Sequence, residues 1–216
     1  MNLIVLGPPG AGKSTQAQRL EADRALKHLS TEKILRTEMA SGSELGDKLK
    51  TVMDADKPVP DGVMVAMIAA RIGAPDCAEG FVLNGFPRTV AQAEALDVMF
   101  EEHEISLDHV IQIVVPEDAM VEKISGRMVC DQCGINYHAF LDPPHFDDEC
   151  DDCGPTKFTR RPEDSADSVR ARMTAYEEET APLLPYYQER EVLTDVDGMT
   201  SPDEIAKQIE DLLNAA

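Results

Sequence analysis

The chain has 216 residues, of which 41 are acidic and 20 are basic, and its formal net charge at pH 7 is −21. Such an acidic surface repels polynucleotides and anionic membranes, so a nucleic-acid or membrane partner is not expected. The length and the 43% hydrophobic content suit one sizeable α/β core with an insertion. No apolar run approaches the roughly 20 residues that span a bilayer, and no membrane segment is expected.

The first predicted element is a buried strand at residues 3–6, which leads directly into the segment GPPGAGKS at residues 7–14. This segment fits the pattern G-x-x-x-x-G-K-[ST], whose glycines let backbone N–H groups surround a phosphate while the lysine neutralises its charge. A helical apolar pattern follows, which argues against an ordinary Gly/Pro turn. The sequence therefore predicts a nucleoside triphosphate site. The N-terminus lacks a basic segment, so we expect no signal peptide and a cytoplasmic location.

Strand and helix patterns then alternate along most of the chain. Strands are predicted at residues 3–6, 81–83, 110–115 and 192–193, and helices at residues 17–25, 63–72, 91–100, 119–124, 169–180 and 204–213. This alternation predicts an α/β fold with three layers around a central parallel sheet. Together with the phosphate loop, it indicates a fold of the P-loop NTPase type. Ligands are expected beyond the carboxyl ends of the strands.

Two segments interrupt the alternation. Residues 30–59 form a helical excursion after a very short strand, and residues 127–164 are rich in Cys, Asp and Pro. We interpret both as small modules inserted into a core made of residues 1–29, 60–126 and 165–216.

The second segment contains Cys130, Cys133, Cys150 and Cys153 in the spacing C-x2-C-x16-C-x2-C. Four thiolates in two such turns match the tetrahedral preference of Zn²⁺, and a complete set of protein ligands predicts a structural site. Two disulfides or a redox pair are the alternatives, and neither suits a cytoplasmic chain with two such pairs. Iron or cobalt could also use these ligands. Cys77 is interpreted as a partly buried thiol.

Two further motifs are the segment LNGFPRT at residues 83–89 with Gln92, and Ser30-Thr31 with Leu35-Arg36. Together with the phosphate loop and the four cysteines, they resemble the adenylate kinases in their long-lid, zinc-bearing form, over nearly the whole chain. The resemblance implies an AMP-binding module at residues 30–59 and a mobile lid at residues 127–164. It also implies the reaction ATP + AMP ⇌ 2 ADP with Mg²⁺, carried out by a monomer.

The resemblance further implies the site residues. Those expected to bind ATP are Gly10, Ala11, Gly12, Lys13, Ser14, Thr15, Arg127, Asn136, Tyr137 and Met199. Those expected to bind AMP are Thr31, Arg36, Lys57, Pro58, Val59, Gly85, Phe86, Pro87, Arg88, Gln92, Arg161 and Arg172. Those expected to act on the transferring group are Lys13, Arg88, Arg127, Arg161 and Arg172, with Arg160 as the alternative to Arg161. Forked guanidinium groups suit phosphate, and the Gln92 amide suits bidentate reading of adenine.

The sequence departs from the family pattern where carboxylates usually help to hold the water shell of Mg²⁺. Glu32-Lys33 replaces Gly-Asp, and Asn84 replaces Asp; elsewhere, Lys123 replaces a lid-proximal Arg. Ser14 stands where the family commonly has Gly, and other P-loop NTPases place that hydroxyl on Mg²⁺. One hypothesis is that Ser14 takes over part of the positioning of the metal. The other is that Ser14 is merely tolerated and Asn84 weakens the use of Mg²⁺.

Other interpretations stay open at this stage. The chain could phosphorylate UMP, CMP or GMP, or it could be a nucleotide sensor with weakened catalysis. The acidity could serve solubility alone, but we favour adaptation to a salt-rich cytoplasm, because salt screens the self-repulsion of the surface.

Overall fold

The computed structural model of the chain describes residues 1–55, 59–140, 143–146 and 148–215, without the side chain of Asn136. The predicted contacts of Lys57, of Pro58 and of the Asn136 side chain therefore lie outside the described residues.

Strands and helices alternate as the sequence predicts. In chain order the strands are β1 (Asn2–Leu6), β2 (Lys27–Ser30), β3 (Phe81–Asn84), β4 (His109–Val114), β5 (Arg127–Cys130), β6 (Asn136–His138), β7 (Glu149–Cys150), β8 (Gly154–Pro155), β9 (Phe158–Thr159) and β10 (Leu193–Asp197). The helices are α1 (Lys13–Arg24), α2 (Thr31–Ala40), α3 (Glu44–Asp54), α4 (Asp61–Ile72), α5 (Val90–Glu102), α6 (Glu117–Ser125), α7 (Ala166–Glu179), α8 (Leu183–Gln188) and α9 (Pro202–Ala215).

The helices extend beyond the apolar repeats that predicted them, because the polar residues at helix ends carry no hydrophobic periodicity. The helix predicted at residues 17–25 starts four residues earlier, directly after Gly12, and ends as Ala25 adopts a left-handed φ of 57°. The short helix α8 was not predicted from the sequence. It contains Pro185, which is unfavourable inside a helix.

The central sheet has five parallel strands in the order β10-β4-β1-β3-β2. The predicted parallel α/β architecture is therefore confirmed. Asn84 at the end of β3 pairs with Val5 of β1 on one side and with Ser30 of β2 on the other. This register brings the segments that follow β1, β2 and β3 together at one edge of the sheet.

Helices cover both faces of the sheet, and β1 illustrates how. Leu3 and Val5 pack on a core formed with α1, α6, α7 and α9, whereas Ile4 and Leu6 pack on a core formed with α4, α5 and α8. Alternate side chains of a strand point to opposite faces, so a strand covered on both sides is apolar throughout. This explains the continuous apolar run at residues 3–6.

The cysteine-containing segment forms two smaller antiparallel sheets. One has the order β6-β5-β9, and the other pairs β7 with β8. Within the described residues, none of the helices combines the length and apolarity needed to cross a bilayer.

Candidate active site

The phosphate loop connects β1 to α1 through three glycines with positive φ: 141° at Gly7, 85° at Gly10 and 98° at Gly12. A Cβ atom on Gly10 would lie 2.5 Å from the Ile124 side chain, so a larger residue would force that side chain to move and would be strained by the positive φ. Gly12 precedes the first helical residue, Lys13. The free N–H groups at the start of this helix make a favourable environment for an anion.

Lys13 folds back onto this loop. Its Nζ donates hydrogen bonds to the carbonyl oxygens of Gly7 at 2.7 Å and Pro8 at 2.8 Å. Burial, and secondly the positive charge of Arg88, lower the pKa of Lys13 to about 8. The ammonium group therefore lies in a place where the charge of a phosphate would stabilise it.

A cavity of about 320 Å³ brings three of the predicted cations together: Lys13, Arg88 and Arg172. They come from three separate parts of the fold, namely the start of α1, the loop after β3 and the helix α7. The other lining residues are Val5, Leu6, Gly7, Pro9, Gly85, Pro87, Ala175, Tyr176, Glu179 and Thr180.

The loop after β3 is held against the start of α2. Thr31 is buried, and its Oγ1 donates a hydrogen bond to the Asn84 carbonyl oxygen at 3.4 Å. Gly85 has a φ of 92°, and a Cβ atom there would lie 2.6 Å from Thr31 Oγ1. Arg88 Nε donates to the Gly85 carbonyl at 3.2 Å, and the peptide between Phe86 and Pro87 is cis. The residues of the GFPR motif and Thr31 are thus gathered in one place.

Gln92 lies in the first turn of α5, a helix capped by the Thr89 hydroxyl. Its Oε1 accepts a hydrogen bond from the Arg88 backbone N–H at 2.8 Å. Its Nε2 donates to Asp61 Oδ1, at the start of α4, at 2.7 Å. Both ends of this amide are therefore already engaged.

Arg172 donates from Nη2 to the Glu163 carbonyl at 2.8 Å, while its buried Nε has no hydrogen-bond partner among the described residues. Tyr176 and Glu179 line the cavity beside it and were missed by the sequence analysis. Helical periodicity could have predicted both, because they lie four and seven positions after Arg172 and therefore on the same face of the helix.

The four cysteines of residues 130–153 form one cluster, with all four Sγ atoms within 4.8 Å of one another. The Sγ–Sγ distances are 3.5 Å between Cys130 and Cys153 and 3.6 Å between Cys133 and Cys150. A disulfide needs about 2.05 Å, and all five cysteines of the chain are free. Tetrahedral Zn–S bonds of about 2.3 Å place the sulfurs roughly 3.8 Å apart, close to the observed spacing. The cluster fits a zinc ion.

Comparison with known proteins decides the family. The family model described as adenylate kinase matches residues 5–192. The chain belongs to the adenylate kinase family. Its relatives include adenylate kinases from Paramagnetospirillum magneticum (48% identity, all of both chains), Zymomonas mobilis (46%, covering 99% of this chain and 96% of the relative) and Archaeoglobus fulgidus (45%, covering 99% and 98%).

Adenylate kinases use Mg²⁺ together with ATP, and two of the unusual residues of this member contact each other near the phosphate loop. The Asn84 side chain is 7% exposed, and its Nδ2 donates a hydrogen bond to Ser14 Oγ at 2.9 Å. Because the Ser14 oxygen is the acceptor, its own proton is available to another acceptor. Hydroxyl and amide oxygens are ligand types that Mg²⁺ accepts, so this pair is chemically compatible with the metal.

Among the described residues, the others implied by the family resemblance do not line the 320 Å³ cavity. Arg36 on α2 is 74% exposed and forms an ion pair with Glu32 at 2.6 Å. Arg127 lies in β5, and the exposed Arg160 and Arg161 follow β9. The others in described positions are Gly10, Ala11, Gly12 and Thr15 in and after the phosphate loop, Val59 before α4, Phe86, which is the buried member of the GFPR motif, and Met199, 56% exposed, after β10.

Tyr137 packs inside the cysteine-containing segment. It is 8% exposed, its ring stacks edge-on against Phe158 at 5.2 Å, and its OH lies 3.3 Å from Cys150 Sγ. The Asp151 backbone N–H also donates to this hydroxyl at 2.8 Å. These contacts make Tyr137 a part of the small core around the cysteines.

Proposed function

We propose that the protein catalyses reversible phosphoryl transfer from ATP to AMP, producing two molecules of ADP. The observation that carries this proposal is the convergence of Lys13, Arg88 and Arg172 on one cavity between the phosphate loop and the GFPR loop. Three cations from distant parts of an acidic chain are concentrated where two nucleotide phosphates would meet.

In the proposed reaction, an oxygen of the AMP phosphate attacks the γ-phosphorus of ATP. The new P–O bond forms as the bond to the β,γ-bridging oxygen breaks, and that oxygen leaves on ADP. The nucleophile is already anionic, so no general base is required, and positioning and charge neutralisation carry the catalysis. Lys13 and the loop N–H groups hold the ATP phosphates, and Arg88 and Arg172 hold the transferring group between the two nucleotides.

Mg²⁺ bound with ATP would add positive charge at the β- and γ-phosphates. Ser14 is the residue we propose to hold it, with Asn84 fixing the Ser14 hydroxyl through the bond at 2.9 Å.

For the acceptor site we propose Thr31, Gly85, Arg88 and Gln92, together with Arg36, Phe86, Pro87 and residues 57–59. Gln92 now donates to Asp61, so reading adenine requires the amide to exchange this bond for one to the base. Arg36 likewise has to exchange Glu32 for the AMP phosphate.

We further propose that residues 30–59 act as the AMP module and residues 127–164 as the lid on a core of residues 1–29, 60–126 and 165–216. Closure of the lid would bring Arg127 and Arg161, or Arg160, over the phosphates and Asn136, Tyr137 and Met199 toward the ATP nucleoside. Closure also excludes water, which would otherwise accept the phosphoryl group. We propose Zn²⁺ as the ion that holds the lid together through its four cysteines. We also propose that the protein is a cytoplasmic monomer; the self-repulsion that follows from a net charge of −21 supports the monomer.

A coupled assay tests the acceptor, with ATP, Mg²⁺ and one of AMP, UMP, CMP or GMP. We expect ADP formation with AMP to exceed that with each other monophosphate by at least about 100-fold. Preference for another monophosphate would contradict the assignment of AMP, and no turnover with any of them would favour a nucleotide sensor.

Two arginines on the same helix test the cavity. Arg172→Ala should lower kcat by at least about 100-fold, since it removes a donor to the transferring group. Arg170→Ala is the matched control, because Arg170 is exposed two residues away and pairs only with Asp167 among the described residues. Equal activity of the two variants would contradict the proposed role of Arg172.

A further inference from the structure

A second cavity, of about 610 Å³, lies between α2 and α4 beside the end of β2. It shares no lining residue with the 320 Å³ cavity, and none of its lining residues belongs to the proposed ATP or AMP sites. Its volume falls within the range of roughly 300–1,000 Å³ typical of small-molecule sites.

The walls of this cavity are mostly apolar. Val63, Ala66, Met67 and Ala70 follow one another at helical spacing along α4, and Ile34 of α2 faces them. Two of these five residues are alanines, so the space between the helices is left open where a larger side chain would fill it. This part of the cavity suits a hydrocarbon or aromatic body.

Two of the charged groups at the cavity are already neutralised. Lys27 pairs with Glu21 at 2.6 Å, and Arg71 pairs with Asp76 at 2.6 Å. The one acidic lining residue, Glu38, accepts a hydrogen bond from the Ser43 hydroxyl.

The other two basic residues, Lys33 and His28, are not neutralised. Lys33 forms no ion pair in the described part of the chain, and the buried Nε2 of His28 has no hydrogen-bond partner there. Burial is the main cause that lowers the pKa of His28; the negative charge of Glu21 opposes this shift, and the positive charges of Lys33 and Lys27 add to it. The Lys33 ammonium group and the His28 imidazole therefore both line this mostly apolar cavity, and the imidazole Nε2 is buried without a hydrogen-bond partner among the described residues, in a chain with a net charge of −21.

We propose that this cavity binds a small amphipathic carboxylate, with its apolar body against α4 and Ile34 and its carboxylate on Lys33 Nζ, beside the His28 imidazole. Lys33 carries the one ammonium group at the cavity that has no ion pair among the described residues, and a monoanion matches its single charge. A dianion such as a phosphate monoester would leave one charge uncompensated in a strongly acidic protein. The proposal is independent of the kinase reaction, because it concerns a separate cavity and its test measures binding.

The test is an NMR titration of the full-length, metal-loaded protein with octanoate, 1-octanol and octylammonium, which share a chain and differ in charge. Octanoate should shift the backbone amide signals of His28, Lys33 and Ala66 and should bind at least about tenfold more tightly than octylammonium. Equal affinity for the two ions, or octanoate shifts confined to the phosphate loop, would overturn the proposal.

Variants then locate the carboxylate. Lys33→Met keeps the aliphatic stem and removes the charge, and should weaken octanoate binding by about tenfold while leaving octanol binding unchanged. Lys48→Met is the matched control, because Lys48 lies on the neighbouring helix α3 and does not line the cavity. Unchanged octanoate affinity in Lys33→Met would contradict the assignment.

Ala66→Phe should fill the cavity and abolish binding of both octanoate and octanol. Thermal unfolding checks that this variant is folded, and Ala70→Phe is the second choice if it is not. Retained octanoate affinity in a folded filled variant would rule out this cavity.

Discussion

At the scale of single residues, Lys13 in the phosphate loop combines two hydrogen bonds to the loop with a lowered pKa. Its ammonium group is held by two carbonyl oxygens, and burial and Arg88 lower its pKa to about 8. A bound phosphate favours the charged form, so nucleotide binding raises this pKa.

We therefore predict that ATP binding at pH 8.5 is accompanied by proton uptake and that the affinity for ATP falls as the pH rises above 8. The free protein has lost part of its Lys13 protons in that range and regains them on binding. Calorimetry in two buffers of different ionisation enthalpy measures the uptake. Lys13→Arg is the control, because arginine does not titrate there. Identical binding enthalpies in both buffers would contradict the prediction.

The Ser14–Asn84 hydrogen bond makes a second prediction possible at this scale. Ser14→Gly and Asn84→Asp should not act additively on ATP affinity, because the two side chains touch at 2.9 Å. If Ser14 also helps to position Mg²⁺, their coupling should be at least about threefold larger with Mg²⁺ than with EDTA.

The dissociation constants of ATP for the parent and the three variants, measured in both conditions, decide between the hypotheses. Equal coupling with and without the metal would mean that Ser14 contacts Asn84 only. The measurements in EDTA are the control, because the Asn84–Ser14 hydrogen bond is still present there while Mg²⁺ is removed.

At the scale of elements, α2 carries an internal competitor for AMP. Glu32 and Arg36 are four residues apart and form an exposed ion pair at 2.6 Å. Exposed pairs of this kind are weak and are screened by salt.

We predict that Glu32→Gln lowers the KM for AMP by about twofold in dilute buffer, because Arg36 no longer exchanges one anion for another. The difference should disappear in 1 M KCl. Glu44→Gln is the matched control, since it breaks the equivalent pair with Lys48 on α3. A KM that is unchanged or higher in Glu32→Gln would show that Glu32 does not compete.

At the same scale, we expect the cysteine-containing segment to need a bound metal for its stability. Its apolar cluster is small, consisting of Cys130, Tyr137 and Cys150 with three partly buried neighbours. A segment of this size needs an additional stabilising element such as a metal.

We predict one zinc ion per chain, and removal of it by a chelator or by Cys150→Ser should lower the thermal midpoint by about 5–15 °C. Cys77→Ser is the control, because Cys77 lies outside the cluster next to Arg71. Elemental analysis and thermal unfolding measure both quantities. A metal-free protein with an unchanged midpoint would contradict a structural role.

At the scale of the whole molecule, the charge of −21 produces self-repulsion that salt relieves. The screening length falls from about 10 Å at 0.1 M to about 3 Å at 1 M salt.

We predict that the thermal midpoint and kcat both rise between 0.1 and 2 M KCl. Sucrose at matched osmolality is the control, because it stabilises folded proteins without screening charge. A midpoint and turnover that fall with added KCl would leave solubility as the role of the acidic surface.

Local sequence patterns were sufficient to predict much of the fold and part of the candidate site. The glycines of residues 7–14 have to adopt positive φ values, and the two C-x2-C turns bring their thiols together over short distances, so both features are legible in the sequence. The buried strands are legible for a similar reason, because a strand covered on both faces is apolar throughout. The resemblance of these motifs to the adenylate kinases identified the family, and the comparisons confirm it.

The contacts between distant residues came from the tertiary structure, because local sequence patterns do not contain them. Ser14 and Asn84 are 70 positions apart, and they touch because β1 and β3 are neighbours in register. Lys13, Arg88 and Arg172 share a cavity for the same kind of reason, and His28 and Lys33 line a second one. Sequence periodicity reports which side of an element is buried, whereas the order of strands in a sheet decides what that side faces.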